Sequence, residues 1–297
     1  METKYKLTDD TILTAMEKKY KLTDATININ GTTLYRIEAL RDFSDVKKGD
    51  KGGFVQSENN LSHIGNCWVY DDAMVYDYAK VCDNAEIFDD AQVCGNAKVY
   101  DNAKIHNEAL ILANAQMYGY AQVYGYVQVY GYAQVSGYAK LFDNAEVFDK
   151  AEAYGHAKIH DIAKAFGNAK IFDNAKLYEQ ASVYGNAKVY GNAIIKGDAK
   201  IENKSDYITF KNWWSSGRHF TWTRSNNMWS VGCFYGTGKE LIEKAYKDSE
   251  LSGREYERVV NYAESILQEK RVKKPSKIVK YFRRFCIYRL LQRRQRR

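Results

Sequence analysis

The stretch Met117–Lys140, MYGYAQVYGYVQVYGYAQVSGYAK, repeats Val-Tyr-Gly-Tyr-Ala-Gln almost word for word. Its period is six, and it extends well beyond the quoted segment. From Val69 an apolar residue recurs every sixth position without a slip, through Val75, Val81 and Ile87 to Ile195 and Ile201, which makes 23 hexads. Four residues after each comes an alanine, from Ala73 to Ala199, with Val127 as the exception. Within Ala-Lys-Val-Tyr the side chains alternate, so Ala and Val face inward while Lys and Tyr face outward. The Gly-Asn and Asp-Asn pairs that follow are turn chemistry, because these residues tolerate the positive φ of a tight corner.

A single hexad buries almost nothing, whereas stacked hexads bury a continuous column of Val, Ile and Ala, as a solenoid does. Strands in register 18 residues apart put three hexads in each triangular coil. The 23 hexads then fill seven to eight coils, roughly 35 Å at about 4.8 Å per layer. The predicted fold is mainly β: a parallel β-helix with a small β cap before it and an α+β region after it.

The pattern aliphatic-x-x-Asn-small-x over Gly65–Ile201 resembles the hexapeptide-repeat superfamily of left-handed parallel β-helices. The left hand is implied by that resemblance. One departure is systematic: where the usual hexad has a small residue after the aliphatic, this chain mostly has Tyr or Phe, as at Tyr70, Phe88, Tyr100, Tyr124, Phe142, Phe172 and Tyr190. Tyr118, Tyr124 and Tyr130 are expected on three successive sides of one coil, with Tyr120, Tyr126, Tyr132 and Tyr138 at corners and Gln116, Gln122, Gln128 and Gln134 in outward slots that elsewhere hold Lys. Such a weakly charged band has two compatible roles. One is intercoil ladders contributing about 0.2–1 kcal/mol per pair; the other is a binding surface for a subunit, partner or ligand.

Four segments follow from these boundaries. Residues 1–61 form an N-terminal cap, with a duplication (KYKLTDDTI at Lys4–Ile12, KYKLTDATI at Lys19–Ile27) and a hairpin signal around Asn30-Gly31. The glycines of KKGDKGGFV lack the spacing of a phosphate loop. Residues 62–203 are the repeat. Residues 204–271 read as aromatic, β-branched strands followed by two helices, opened by the capping boxes Thr237-x-x-Glu240 and Ser252-x-x-Glu255. The second helix carries an apolar stripe of Tyr256, Val259, Val260, Ala263, Ile266 and Leu267.

Residues 272–297 are a basic amphipathic tail. The net charge of +7 is concentrated there: Lys270–Arg297 holds 13 basic residues and no acid, leaving about −6 on the remainder. Lys273, Lys274, Lys280, Arg283, Arg284, Arg289, Arg293 and Arg294 suit nucleic acid, an anionic membrane surface, or an ordinary solvated helix face.

The five cysteines (Cys67, Cys82, Cys94, Cys233, Cys286) contain no C-x-x-C pair, and neither a signal peptide nor a run near the roughly 18 apolar residues of a membrane span is seen. A reducing, cytoplasmic setting without structural metal is expected.

The superfamily resemblance implies trimeric acyltransferases, in which a coil-borne histidine is the general base and acyl-CoA lies between subunits. His160 and His156 are the candidates here, with His106 in the same outward column as His160 and His63 and His219 in the caps. The repeat lacks the inserted loop that builds an acceptor pocket. Paired acids such as Asp71/Asp72 read as corner residues, and no Ser/His/Asp or metal-ligand spacing stands out. The layout of cap, repeat and tail, with WSVGCFYGTGKELI before the helices, resembles phage and prophage hexapeptide-repeat proteins of unassigned role. The expectation is a homo-oligomeric, non-enzymatic binding or sequestering protein, an inhibitor of a host factor or of a small signalling ligand, working without a cofactor. An acyl-CoA-dependent acyltransferase and a nucleic-acid binder using the tail are the alternatives.

Overall fold

The structure, a computed structural model, describes residues 18–272, with the side chains of 268–272 excepted. The first copy of the N-terminal duplication, Cys286 and the basic residues of the tail lie outside the described residues.

Three strands open the described residues: β1 (Tyr20–Ile29), β2 (Thr32–Ala39) and β3 (Lys51–Val55). β1 and β2 form the expected hairpin, with Asn30 and Gly31 both at positive φ (49° and 89°). Then come 23 two-residue strands, β4–β26, one every six residues from Trp68–Val69 to Lys200–Ile201. They sort into three parallel sheets, each strand pairing with the one 18 residues on. One face runs through Val69, Ile105, Leu141 and Ile195 and is eight strands deep; a second runs through Val81, Met117, Val135 and Val189 and is seven deep. The third contains Val75, Ile111, Val129 and Ile201 and counts eleven strands because β3, β2 and β1 continue it.

Every Ala and aliphatic of the hexad columns is fully buried, in one continuous core. Coils are joined by backbone bonds such as Lys98 N–H to the Ala115 carbonyl (3.0 Å). Corners recur at 71, 77, 83 and so on, each with one residue at positive φ, nearly always Asp, Asn or Gly. The carboxylates have a second task. Asp77 Oδ2 accepts the Gly95 N–H (3.1 Å), Asp89 Oδ2 that of Asn107 (2.7 Å), and Asp149 Oδ2 that of Gly167 (3.1 Å), each one coil ahead. Of the pair Asp71/Asp72, Asp71 does the same for the Asp89 N–H (3.2 Å), capping a donor the ladder leaves free, whereas Asp72 pairs with the Arg36 guanidinium.

The solenoid starts earlier than the hexad pattern shows. Val55 pairs with Val75 and Leu61 with Val81, so β3 and the following segment already form most of a coil. Eight residues instead of six separate Leu61 from Val69, which hides this coil from a strict period. Gly52 and Gly53 are needed for close approach: a Cβ on either would lie 2.5 Å from the Val69 carbonyl oxygen or 2.4 Å from that of Ala73. The lower edge is closed by buried Lys19, whose Nζ donates to the Cys67 carbonyl (2.7 Å), and by Tyr20, whose hydroxyl donates to that of Leu61 (2.7 Å). Burial lowers the Lys19 pKa from its ordinary value.

The upper edge is closed by an antiparallel sheet, β27 (Tyr207–Lys211), β28 (His219–Thr223), β29 (Met228–Val231) and β30 (Phe234–Gly236), backed by helices α1 (Gly238–Asp248) and α2 (Glu250–Val272). The last coil has no next coil to accept its amides, and hydroxyls of this module do so instead. Thr221 Oγ1 takes the Ile194 N–H (2.9 Å) and Ser225 Oγ that of Lys200 (2.7 Å).

The Thr237/Glu240 capping box is formed. The one expected at Ser252/Glu255 is not: α2 and its cap begin three residues earlier, and the Ser252 N–H donates to Ser249 Oγ (3.1 Å), so Ser249 caps the helix while Glu255 pairs with Arg258. Of the apolar stripe, Tyr256, Val260 and Ala263 are buried against Trp229 and Phe220.

Candidate functional site: aromatic ladders and the gap at Ser136

The outward residue after each aliphatic stands directly above its counterpart one coil earlier, so aromatic rings there stack. On the eight-strand face the column reads Tyr70, Phe88, His106, Tyr124, Phe142, His160, Tyr178. Centroid separations are 4.3 Å for Tyr70–Phe88, 4.4 Å for Phe88–His106 and 5.1 Å for Tyr124–Phe142, with planes within 9° of parallel. Lys196 ends this column, its ammonium 5.4 Å above the Tyr178 ring. On the eleven-strand face Tyr130, Phe148, Phe166 and Tyr184 stack at 4.8–5.1 Å.

The seven-strand face differs. Its column reads Cys82, Tyr100, Tyr118, Ser136, Tyr154, Phe172, Tyr190. Tyr100 stacks on Tyr118 (5.1 Å), and Tyr154, Phe172 and Tyr190 stack in turn (5.0 and 5.3 Å). Ser136 leaves one rung without a ring. The result is a notch of about 230 Å³ walled by Tyr118 and Tyr154, with Gln134, Ser136 and Glu152 between them. Gln134 Oε1 accepts the Tyr118 hydroxyl (3.4 Å), and both Glu152 oxygens hold Lys170 Nζ (2.7 and 2.8 Å).

The tyrosine and glutamine residues expected to form a band are distributed around the coil. Tyr118 and Gln134 share the seven-strand face, Tyr124 and Gln122 the eight-strand face, and Tyr130 and Gln128 the eleven-strand face. The corner tyrosines Tyr120, Tyr126, Tyr132 and Tyr138 are each more than half exposed. Tyr120, Tyr138 and His156 stack at 5.0 Å steps along the edge beside the notch, whereas Tyr126 and Tyr132 stand at the other two edges. The Glu108 carboxylate beside Tyr126 raises that phenol's pKa. The band is thus a girdle, and only the part at the seven-strand face converges on a concavity. Ser136 was legible in the opening stretch, as the single Val-Ser-Gly-Tyr among Val-Tyr-Gly-Tyr units.

His106 and His160 are rungs of the eight-strand-face ladder, and His219 lies in β28 of the upper sheet. His160 lies between Phe142 (4.4 Å) and Tyr178 (4.7 Å), with Nδ1 3.5 Å from Asp161 Oδ2. His106 is held neutral to lower pH by burial, and His63, also lowered by burial, stacks on Tyr20 in the lower cap (4.3 Å). Asp143, His160 and Asp161 bring ligand atoms within 4.8 Å of one another. Two of the oxygens there already serve the corners, Asp143 Oδ2 accepting the Asp161 N–H (3.3 Å) and Asp161 Oδ2 that of Glu179 (2.8 Å). Cys82 and Cys94 lie on different faces, and burial pushes the Cys82 thiol up to about 11. Among the described residues no helix is long and apolar enough to cross a membrane.

No family model matches the chain. A curated relative, the uncharacterized acetyltransferase YdcK of Escherichia coli (strain K12), is 47% identical over 38 residues, 13% of this chain and 12% of that protein. The chain therefore matches about an eighth of the length of this relative. The parallel solenoid with its regular 18-residue coil, together with that short match, fits the hexapeptide-repeat superfamily.

Proposed function

We propose that this chain is a non-enzymatic binding protein that holds a partner or small ligand against the aromatic surface of its solenoid. The observation that carries this reading is the combination of 23 uninterrupted hexads with a surface of stacked and exposed rings. Rings fixed by their neighbours present large contact area at little entropic cost, which suits recognition. The finer reading is a sequestering inhibitor of phage origin, assembled as a homo-oligomer and acting in the host cytoplasm on a host factor or signalling ligand. It rests on the resemblance of the layout of cap, repeat and tail. Nucleic acid or an anionic membrane as the tail's partner is a separate proposal, tested by salt-dependent binding that disappears when 273–297 is deleted.

A second reading is favoured by the match to an acetyltransferase. It takes acyl-CoA as donor and His160 or His156 as base. The acyl group would pass from the thioester to an acceptor amine or hydroxyl, whose proton ends on the released CoA thiol. His156 is exposed at its corner, while His160 has its ring faces covered.

Native mass spectrometry of the purified full chain, with a CoA-release assay, separates the two. A stoichiometric ligand or protein partner without thiol release supports binding. Release of CoA that disappears in His160→Ala or His156→Ala replaces that reading with catalysis.

A further inference from the structure

We infer that the notch at Ser136 is a slot for one flat heteroaromatic ring of the nucleobase type, which takes the position of the rung the ladder lacks. The inference rests on the binding-protein reading and names the site and ligand class for it.

The spacing comes first. Neighbouring rings in this column are 5.0–5.3 Å apart and nearly parallel, and they repeat once per coil. Tyr118 and Tyr154 belong to coils two layers apart, so about 10 Å separates them. A guest ring midway sits about 5 Å from each, within the range of favourable offset stacking. Both walls are held from behind, Tyr118 by Tyr100 and Tyr154 by Phe172. The slot is therefore formed before anything enters it, and binding costs no ordering of its walls.

Size and polarity narrow the guest. A volume of about 230 Å³ is below the roughly 300–1,000 Å³ of sites for drug-sized ligands, so the slot takes one ring system with the rest of the molecule outside. Its floor and sides are polar. The Ser136 hydroxyl has no hydrogen-bond partner among the described residues, the Gln134 amide nitrogen is free to donate, and the Glu152–Lys170 pair offers an acceptor beside a donor. An aliphatic guest would leave these groups unpaired, and a plain phenyl ring would answer the walls alone. A nucleobase answers both, with two π-faces for the tyrosines and an edge of donors and acceptors for Ser136, Gln134 and Glu152. The other ring-free rungs within the ladders do not offer this: Leu112 and Cys94 adjoin one another on the eleven-strand face, so neither lies between two rings, and Cys82 begins the seven-strand column with only Tyr100 beside it.

The test is binding of adenosine, guanosine and cytidine to the full-length chain, by calorimetry and by saturation-transfer NMR, with ribose as the ring-free control. At least one nucleoside is expected to bind with one equivalent per chain, saturation transfer strongest at the base protons, and ribose not at all. Ser136→Tyr supplies the missing ring from the protein itself and should weaken binding at least about tenfold. Leu112→Tyr, the same ring added on another face, should leave affinity unchanged. Undiminished melting of both variants shows that the fold is intact. No binding of any of the three nucleosides, or equal binding by wild type and Ser136→Tyr, overturns the slot. So does loss of oligomerisation in Ser136→Tyr without nucleoside binding, because the guest ring would then come from a second copy. Failure of the slot leaves the binding-protein reading standing if native mass spectrometry shows a stoichiometric partner that Ser136→Tyr retains. CoA turnover would sink that reading whatever the nucleosides do.

Discussion

Ala113→Asp should stabilise the protein by about 1 kcal/mol. Ala113 occupies a corner at φ 59°, where a side chain without a local hydrogen bond costs on the order of 1 kcal/mol. The packing is tight as well: a Cβ on Gly95, one coil earlier in the same corner column, would lie 2.8 Å from the Ala113 nitrogen. Asp77 and Asp149 in this column offset such costs by accepting the N–H one coil ahead, at 3.1 Å in both cases. Alanine carries no side-chain acceptor for the Gly131 N–H one coil ahead. Aspartate at 113 would take that donor, a bond with a net value of about 0.5–1.5 kcal/mol. For a chain of 297 residues 1 kcal/mol corresponds to a rise of about 1.5–2 °C in Tm. Scanning calorimetry on wild type, Ala113→Gly, Ala113→Asn and Ala113→Asp separates the contributions. Glycine relieves the dihedral strain but pays in unfolded-state entropy, so it should move Tm little, with Asn and Asp above it. If Asp does no better than Gly, the carboxylate-to-amide bonds of the corners contribute nothing in solution, and the account of the acidic corners fails.

Ser136→Tyr should raise Tm as well, because two new ring contacts join the separate halves of the seven-strand-face ladder at about 0.5–1.5 kcal/mol each beyond area burial; a fall in Tm would show that the column cannot accept a ring there. Thr221→Val leaves the Ile194 N–H without its acceptor and should cost about 1–3 kcal/mol, visible as faster amide exchange at Ile194 before any change at the lower end. His106, lowered by burial and flanked by Asp89, Glu86 and Lys104, is neutral in the fold at pH values where the unfolded chain protonates it. Its contribution is intact above the unfolded pKa of about 6.5 and is lost as pH falls below that value. His106→Phe keeps the stack on Phe88 and should flatten part of the loss of Tm between about pH 7 and about pH 5, with His63 responsible for a remainder. An unchanged slope would mean that His106 titrates alike in both states.

The period of six was enough to read the solenoid, its three faces and the inward and outward alternation, because every coil obeys one steric rule. Two features broke with local pattern and were not legible. The two extra residues between Leu61 and Val69 hid the first coil, since the inward alternation resumes only when strands pair in space. The start of α2 was misplaced at Ser252, because Ser249 could cap the helix only after α1 had ended at that residue. The ladders were foreseen as columns, but the notch required knowing that Tyr118 and Tyr154 face each other across Ser136. Periodicity names the column, and only the stacked coils reveal what a missing ring leaves behind. The histidines show the converse. The family resemblance marks His156 and His160 as candidate bases, whereas ring stacks account for His106 and His160 as members of a ladder.

The coil of 18 residues makes length itself a quantised variable for this molecule. Removing or duplicating 18 consecutive residues inside the repeat returns every face to its own column, so each ladder is shortened or lengthened by one rung and closes up again. Removing six turns everything above the cut by a third of a revolution. Ser136 would then stand over a different column of rings, and the hydroxyls of the upper module would meet amides of the wrong face. Such a gene can therefore grow or shrink by whole coils, and the number of coils sets the distance between its two ends much as the marks on a ruler do.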